Sequence, residues 1–531
     1  MPSVEATSGS LEVEAHAGEA VAADPKPAAK SRLGCNRFDF AWLPTPELGL
    51  ARTLGRALEW KPLLCPVRER DAFENTQPRH DPLETRSEFE RDYDRAVFST
   101  PLRRLQDKTQ VFPLEPNDFV RTRLTHSLEV STLARGLARR VGAELVRTKK
   151  LDERQARDVE AIAATCALIH DLGNPPFGHA GERAIQEWFD KRLCEDGQRR
   201  ADQQRLSDLS PQQRADFQRF DGNAQTLRLI TRLQVLADDY GLNLTLGTLS
   251  AAMKYTAASH EAGRASGRHE LEKPGYFASE TELVEMVRRH TGTGTARNPI
   301  TFLTEAVDDL AYATVDFEDG IKKGLATWDD AQQELVEVAR GLGCPELLRS
   351  KIDGAVEYLG RAKPPLRGRA KGESIAEMLR TLVIGKALAD VSDAFIARHD
   401  AILAGDYHGE LVADCASAGL IETFKQVDRK LFYASEGNLR LELMGRRVLG
   451  DLLSAFFEGA AAFEGEPPTP NDFPGKLYHL MSDNYRNVFV KAAAKDPSSM
   501  KVYPKLQLVT DYVCGMTDSF ACSLHQSLTH G

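Results

Sequence analysis

Four residues offer the plainest chemistry in this sequence: His126 in RTRLTHSLE, His170 and Asp171 in IHDLGNPPFGHAGE, and Asp308 in TEAVDDLAYATVDFED. Two imidazoles and two carboxylates suit one borderline divalent cation, which takes about four to six nitrogen and oxygen donors. A cation held that way acidifies water near neutral pH, so the set points to a metal-dependent hydrolase. The His–Asp dipeptide alone carries little weight, because it also occurs at His80–Asp81 and His399–Asp400. The first precedes Pro82 in a charged segment and reads as a solvated turn. The second lies in DAFIARHDAILAGDY, a helical pattern whose charged face most simply points to water. The copy at 170 differs on both sides. AIAATCALI before it must be a buried helix, and Gly173, Pro175, Pro176 and Gly178 after it end that helix abruptly. A histidine and an aspartate there need either a metal or satisfied core hydrogen bonds, and spacing alone does not choose between them.

The elements that must position these residues are helices. From Glu88 onward, apolar residues recur at spacings of three and four in RDYDRAVFSTPLRRLQDK, THSLEVSTLARGLARRVGAELVRT, ARDVEAIAATCALIH, GERAIQEWFDKRL and NAQTLRLITRLQVLA. Gly181 and Glu182 are expected to open a helix after the GNPPFGHA loop. SHEAGRASGRHELEKPGYF reads as a long polar loop and HTGTGTARNP as a turn-rich linker. Neither is a phosphate-binding glycine loop, and there is no internal repeat and no convincing sheet. The expected fold is all-α: a disordered extension over 1–33, an irregular arm over 34–84, a catalytic core over 85–325 and a helical C-terminal lobe over 326–531. Within the core, Asp308, Tyr312 and Asp316 fall at i, i+4 and i+8 along one helical stripe. That stripe either faces water or lines a polar cavity with Asp308 at its metal end. Asp309 is the alternative ligand if the helix face is one residue out.

Composition bounds the function. Hydrophobic residues are 42% and charged residues 27% of 531, ordinary for a soluble globular protein, and no apolar run reaches the ~20 residues of a membrane span. The N-terminal MPSVEATSGSLEVEAHAGEA is acidic, with no basic start or apolar stretch, so neither a secretory signal nor a transit peptide is expected. Eight cysteines without a CxxC pair read as reduced thiols, and the expected compartment is the cytoplasm. A net charge of −10 should repel polyanions overall, so an anionic ligand needs a local basic pocket. Arg103, Arg104, Lys108, Arg121 and Arg123 crowd the approach to His126 and read either as that pocket or as a solvated face.

These residues also carry a family resemblance. RRLQDKTQVFPLE, RTRLTHSLEV, HDLGNPPFGHAGE, FDGNAQTLRL, MKYT, KPGYF, EAVDDLAY and LVTDYVCGMTDSFA run in order from Glu88 to the C-terminus. Together they resemble the HD-domain phosphohydrolases and, more narrowly, the deoxyguanosine triphosphate triphosphohydrolases of the long bacterial type. The first ~85 residues lie outside the resemblance. It implies an HD-domain helical core that cuts a deoxynucleoside triphosphate into nucleoside and intact triphosphate. It carries the ligand role over to His126, His170, Asp171 and Asp308, with Mg²⁺ or Mn²⁺, or else Co²⁺, Fe²⁺ or Zn²⁺, as the metal. His179 and Glu182 match the pair that handles protons or the attacking water. Gln110 and Arg123 match contacts to deoxyribose and α phosphate, Tyr312 and Asp316 match the 3′-hydroxyl side of the sugar, and Lys254 resembles a phosphate-contacting lysine. The resemblance further implies a homo-oligomer, a hexamer, that responds to nucleotides or single-stranded DNA. Two other readings stay open: a nucleotidase or phosphodiesterase on the same fold, and a nucleotide- or DNA-responsive binding protein.

Overall fold

The structure, a computed structural model, describes residues 57–77, 83–112, 114, 119–194, 209–234, 238–263, 267–362, 365–496, 498 and 501–530. The extension expected to be disordered over 1–33 and the His80–Asp81 turn lie outside the described residues. Helix α1 (Glu88–Val97) opens with a capping box between Ser87 and Glu90. Helix α2 (Arg123–Arg147) is boxed in the same way by Thr122 and Thr125, which places Arg123 and His126 in its first turn. Asp152 and Gln155 box α3 (Glu153–Ile169), whose C-terminal end delivers His170 and Asp171. Helices α2 and α3 lie close because Gly142 faces Ala156, where even a methyl would stand 3.2 Å from the Ala156 Cβ. The Ser131 hydroxyl donates across the pair to the Ala164 carbonyl at 2.8 Å and fixes their register.

Helix α4 (Gly178–Cys194) begins three residues before the expected Gly181. Phe177 and Gly178 both take left-handed backbone angles (φ 64° and 55°), which turn the chain out of the two-proline loop. Helices α5 (Gly222–Arg228) and α6 (Leu246–Ala252) follow. The only strands among the described residues, β1 (Ala257–Ala258) and β2 (Pro274–Tyr276), make one short parallel pair, so the polar stretch read as a loop ends in a strand. The all-α expectation otherwise holds. Helix α7 (Thr281–Thr291) stops at Gly292, and α8 (Pro299–Lys323) starts from an Asn298 cap with Pro299 in its first turn. Beyond it lie α9 (Gly368–Ala404), α10 (Ala418–Asp428) with a π-helical turn at Arg429–Tyr433, α11 (Glu436–Ala461), α12 (Val502–Cys514) and α13 (Asp518–His530).

Two apolar cores hold these helices. One joins α2, α3, α8, α9 and α10 through residues such as Val130, Ile162, Leu310, Phe317, Val391 and Phe424. The other joins α4, α5, α6, α11 and α12 through Ile185, Phe189, Leu227, Leu249, Leu453 and Val509. Each fully buried Phe or Leu contributes roughly 1.5–3 kcal/mol. Ala167 belongs to the first core, whereas Leu168, Ile169 and Leu172 belong to the second. His170 and Asp171 therefore leave α3 where the two cores meet. His399 corrects the sequence reading: it is buried, accepting from the Trp60 indole at 3.3 Å, and only its neighbour Asp400 faces water. Among the described residues no helix is long and apolar enough to cross a membrane.

Candidate active site

The four proposed ligands converge from three helices. His126 Nε2 lies 3.1 Å from Asp308 Oδ1, and His170 Nε2 lies 3.3 Å from both Asp308 Oδ1 and Asp171 Oδ2. Ligand atoms of His126, His170 and Asp171 all fall within 4.8 Å of one another, a group able to hold a metal ion. The chemistry of the donors fits a cation. His170 Nδ1 lies 2.7 Å from the Ala167 carbonyl, a contact that places one ring proton there and turns Nε2 toward the carboxylates. Nε2 faces two carboxylate oxygens, so either a second ring proton or a metal cation must lie between them. Burial alone would lower the His170 pKa, but Asp171 and Asp308 outweigh it and push it well up. Burial would raise Asp308, yet the two imidazoles hold it well below the carboxylate range.

Asp171 is held from both sides. Arg123 Nη1 donates to Oδ2 at 2.5 Å and Asn174 Nδ2 to Oδ1 at 2.5 Å. Lys108, fully buried, donates to the Asn174 and Cys514 carbonyls at 2.6 and 2.8 Å and ties this loop to α12. Asp518 at the start of α13 accepts from the Phe177 and Thr109 backbones at 3.1 Å each, and from the Thr109 hydroxyl. Thr109 in turn bridges Thr122, which sets Gln110 beside the first turn of α2. The Gln110 Oε1 is buried there without a partner.

His179 and Glu182 sit on the first turns of α4. His179 Nδ1 is 2.9 Å from Glu182 Oε2, while Glu182 Oε1 accepts from the Gly222 backbone at 2.8 Å. Burial would raise Glu182, but the bond and charge of His179, the Lys273 ammonium and the Gly222 N–H together outweigh it and lower its pKa. The imidazole is 68% exposed, so its outer nitrogen meets solvent or ligand. This arrangement depends on two glycines. A Cβ on Gly173 would stand 2.2 Å from Thr226 N, and one on Gly222 would stand 2.1 Å from Asn174 Oδ1.

The stripe on α8 turns inward. Asp316 is buried, with Oδ2 accepting from the Tyr433 hydroxyl at 2.8 Å, and Tyr312 is half-buried with its ring 5.8 Å from that of Tyr433. Asp309 points elsewhere, pairing with Lys425 at 3.1 Å, so Asp308 is the residue that meets the imidazoles. Lys254 lies 3.5 Å from Glu305, one turn before Asp308 on α8. The five basic residues near His126 do not share a pocket. Arg121 is spent on Glu129, Glu318 and Asp319; Arg104 bonds Tyr485 and the Gly515 carbonyl; Arg103 bonds Thr100 and the Phe98 carbonyl. Lys108 is buried as described, and Arg123 alone reaches the ligand cluster.

Sequence reasoning missed the supports: Asn174 and Lys108 behind Asp171, Asp518 behind the loop, Glu305 behind Lys254, and Tyr433 behind Asp316. Most are contacts across long stretches of chain with no local pattern. Only Asn174, three residues past Asp171, was within reach of a spacing argument.

Residues 123–208 match the HD domain, a span that holds His126, His170, Asp171, His179 and Glu182. The chain is 35% identical over 476 residues to a deoxyguanosinetriphosphate triphosphohydrolase-like protein of Listeria innocua, covering 89% of this chain and 99% of that protein. It is 31% identical over 502 residues to the deoxyguanosinetriphosphate triphosphohydrolase of Yersinia enterocolitica, covering 86% and 96%. A similar protein from Enterobacter sp. is 31% identical over 479 residues, covering 83% and 93%. With this likeness along most of its length, the chain belongs to the deoxyguanosinetriphosphate triphosphohydrolase family of HD-domain proteins.

Proposed function

We propose that this protein hydrolyses dGTP, and to a lesser extent other dNTPs, to the deoxynucleoside and inorganic triphosphate, and so controls deoxynucleotide pools. The observation that carries the reading is α8 itself. One helix brings Asp308 to His126 and His170, and over its next two turns brings Tyr312 and Asp316 to a buried polar corner. His126, His170, Asp171 and Asp308 would hold the divalent cation, Mg²⁺ or Mn²⁺, which when bound supplies Lewis-acid stabilisation of phosphoryl charge and acidifies water.

The remaining work falls to the chain. Arg123, oriented by Asp171, offers its other guanidinium nitrogens to an α-phosphate oxygen, and Lys254 neutralises charge further along the triphosphate. Glu182 accepts a hydrogen bond from His179 Nδ1–H, and the doubly protonated ring, which carries its second proton on Nε2, gives that proton to the departing 5′ oxygen and is left neutral. Gln110 and Asp316 have buried oxygens ready to accept from sugar hydroxyls. Tyr312 occupies the 2′ side, where a ribose hydroxyl would be buried without a partner, at a cost of about 1–3 kcal/mol.

The test is incubation with each dNTP and with GTP, plus Mg²⁺ or Mn²⁺, with products resolved by anion exchange. Deoxyguanosine with intact triphosphate supports the reading; orthophosphate or pyrophosphate sinks it. Tyr312→Ala is expected to admit GTP, and a variant that still ignores GTP while hydrolysing dGTP puts the gate elsewhere.

A cytoplasmic homo-oligomer, a hexamer, is part of the same proposal, checked by light scattering on the full chain. The basic face of α2 gives little support to a DNA effector there, since Arg139, Arg140 and Arg147 already pair with Glu160, Asp393 and Glu144.

A further inference from the structure

Two aspartates of the LVTDYVCGMTDSFA segment reach the catalytic segments from behind. Asp511 on α12 accepts from Arg228 Nη2 at 2.7 Å and Gln225 Nε2 at 3.0 Å, and so anchors α5, whose Gly222 N–H holds Glu182. Asp518, the first residue of α13, is buried and takes three hydrogens. Its Oδ2 accepts from the Thr109 backbone at 3.1 Å and from the Thr109 hydroxyl, while its Oδ1 accepts from the Phe177 backbone at 3.1 Å. An ionised carboxylate suits three donors because it offers acceptors alone, whereas an amide sets its own N–H hydrogens against one of them.

The two segments that Asp518 joins lie far apart in the chain. Thr109 precedes Gln110, whose buried Oε1 has no partner. Phe177 lies two residues before His179 and holds a left-handed backbone (φ 64°), a region sparsely populated by residues with a Cβ. Such a conformation persists only where its surroundings fix it. Here the C-terminal helices fix it twice. Asp518 holds the Phe177 N–H, and the Phe177 ring lies against Gly445 of α11, where a Cβ would stand 2.5 Å from the ring Cγ. The turn that launches α4, and with it the direction of His179, depends on those contacts.

We propose that Asp518 is a positioning residue for proton transfer. By gathering Thr109 and Phe177 onto one carboxylate, it fixes the separation between Gln110, on the sugar side, and His179, the proton donor to the departing 5′ oxygen. This inference rests on the proposed function, in which those two residues act on the sugar and its 5′ oxygen.

The test compares full-length wild type with Asp518→Asn on two substrates, dGTP and its analogue with sulfur in place of the 5′ oxygen. With the analogue, water adds to the α phosphorus, the P–S bond breaks, and sulfur leaves as a thiolate that needs no proton donor. Asp518→Asn should lower kcat for dGTP about tenfold to a hundredfold, the scale of a misplaced catalytic group, with a smaller rise in KM. For the sulfur analogue kcat should stay within about threefold, because general-acid help is not required there. Thr109→Val, which removes one donor, should show a smaller loss of the same kind, and Thr109→Ser should restore it. Equal losses on both substrates mean packing alone and overturn the proposal, as does an Asp518→Asn enzyme with wild-type kcat for dGTP. Hydrogen exchange at the Thr109 and Phe177 amides, read by mass spectrometry, needs no turnover. Both should be slow in the wild type, and at least one should quicken in Asp518→Asn; unchanged exchange refutes the clasp. A wild type that releases no triphosphate from dGTP refutes the proposed function and the role of Asp518 within it, whereas triphosphate release with equal losses refutes the role of Asp518 alone.

Discussion

Glu305 and Asp308 stand one turn apart on α8, and each meets histidine and a second carboxylate, yet their surroundings are opposites. Around Glu305 gather His269 at 2.9 Å, Arg297 at 2.7 Å and Lys254 at 3.5 Å, with Glu410 at 3.3 Å from the same imidazole. By donor type and spacing this group also could hold a metal. Arg297 is wholly buried against Glu305 and cannot give up its proton, so the charge there is already balanced. Among the described residues, Asp308 pairs with imidazoles alone. An imidazole can exchange its proton for a metal, whereas a guanidinium cannot. The contrast is between these two carboxylates, since Asp171 of the first set also carries a guanidinium, that of Arg123.

The largest expected effect tests that contrast directly. His170→Ala should lose bound divalent metal and lower activity by about 10³-fold or more, while His269→Ala keeps full metal content and most of its activity. Elemental analysis of chelator-stripped, reconstituted protein reads this, and metal loss in His269→Ala would break the comparison. Arg123→Ala comes next, with kcat/KM for dGTP down by about 10²-fold in steady-state kinetics. Arg123→Lys should recover only part of that, because a point charge replaces a fork.

Glu305→Gln loosens Lys254, so KM for dGTP should rise about threefold to tenfold with kcat nearly level. It also has a pH signature. Burial alone would raise Glu305, but Lys254, His269 and Arg297 outweigh it and hold it at about 2, against an ordinary 4.5. The folded value lies below the unfolded one, so this contribution to stability is full above 4.5 and lost as pH falls toward 2. Wild-type Tm should therefore drop more steeply than that of Glu305→Gln below pH 4.5, and parallel curves would remove Glu305 from the charge balance. The smallest effect is expected at Asp309→Asn, within about threefold of wild-type activity, since among the described residues its ion pair is with Lys425 and its influence on Lys254 is through space. A loss as deep as that of Asp308→Asn would reverse the assignment of the two carboxylates.

Much of this arrangement was legible in the chain. The helices around the site declare themselves through apolar spacing and capping residues, and Thr122, Asp152 and Asn298 all cap as their side chains allow. The i, i+4, i+8 pattern identified Asp308, Tyr312 and Asp316 as one stripe, though not the direction in which it faced. The same kind of pattern misjudged His399, whose charged neighbours suggested water while Trp60, 339 residues away, waited to bond it. It also grouped five cations by proximity in sequence, when their carboxylate and carbonyl partners scatter them across the fold.

Local periodicity and capping, properties of adjacent residues, determined that this protein is helical and where its candidate ligands sit on those helices. Family likeness along the chain named the chemistry to expect of them. Only the tertiary structure decided that Asp308 and not Asp309 meets the imidazoles, that Arg297 balances Glu305, and that Tyr433 reaches Asp316. Those outcomes depend on which charges and hydroxyls are buried together. Burial brings together residues far apart in the chain, and in a low-dielectric interior a single committed cation decides what its neighbours can bind.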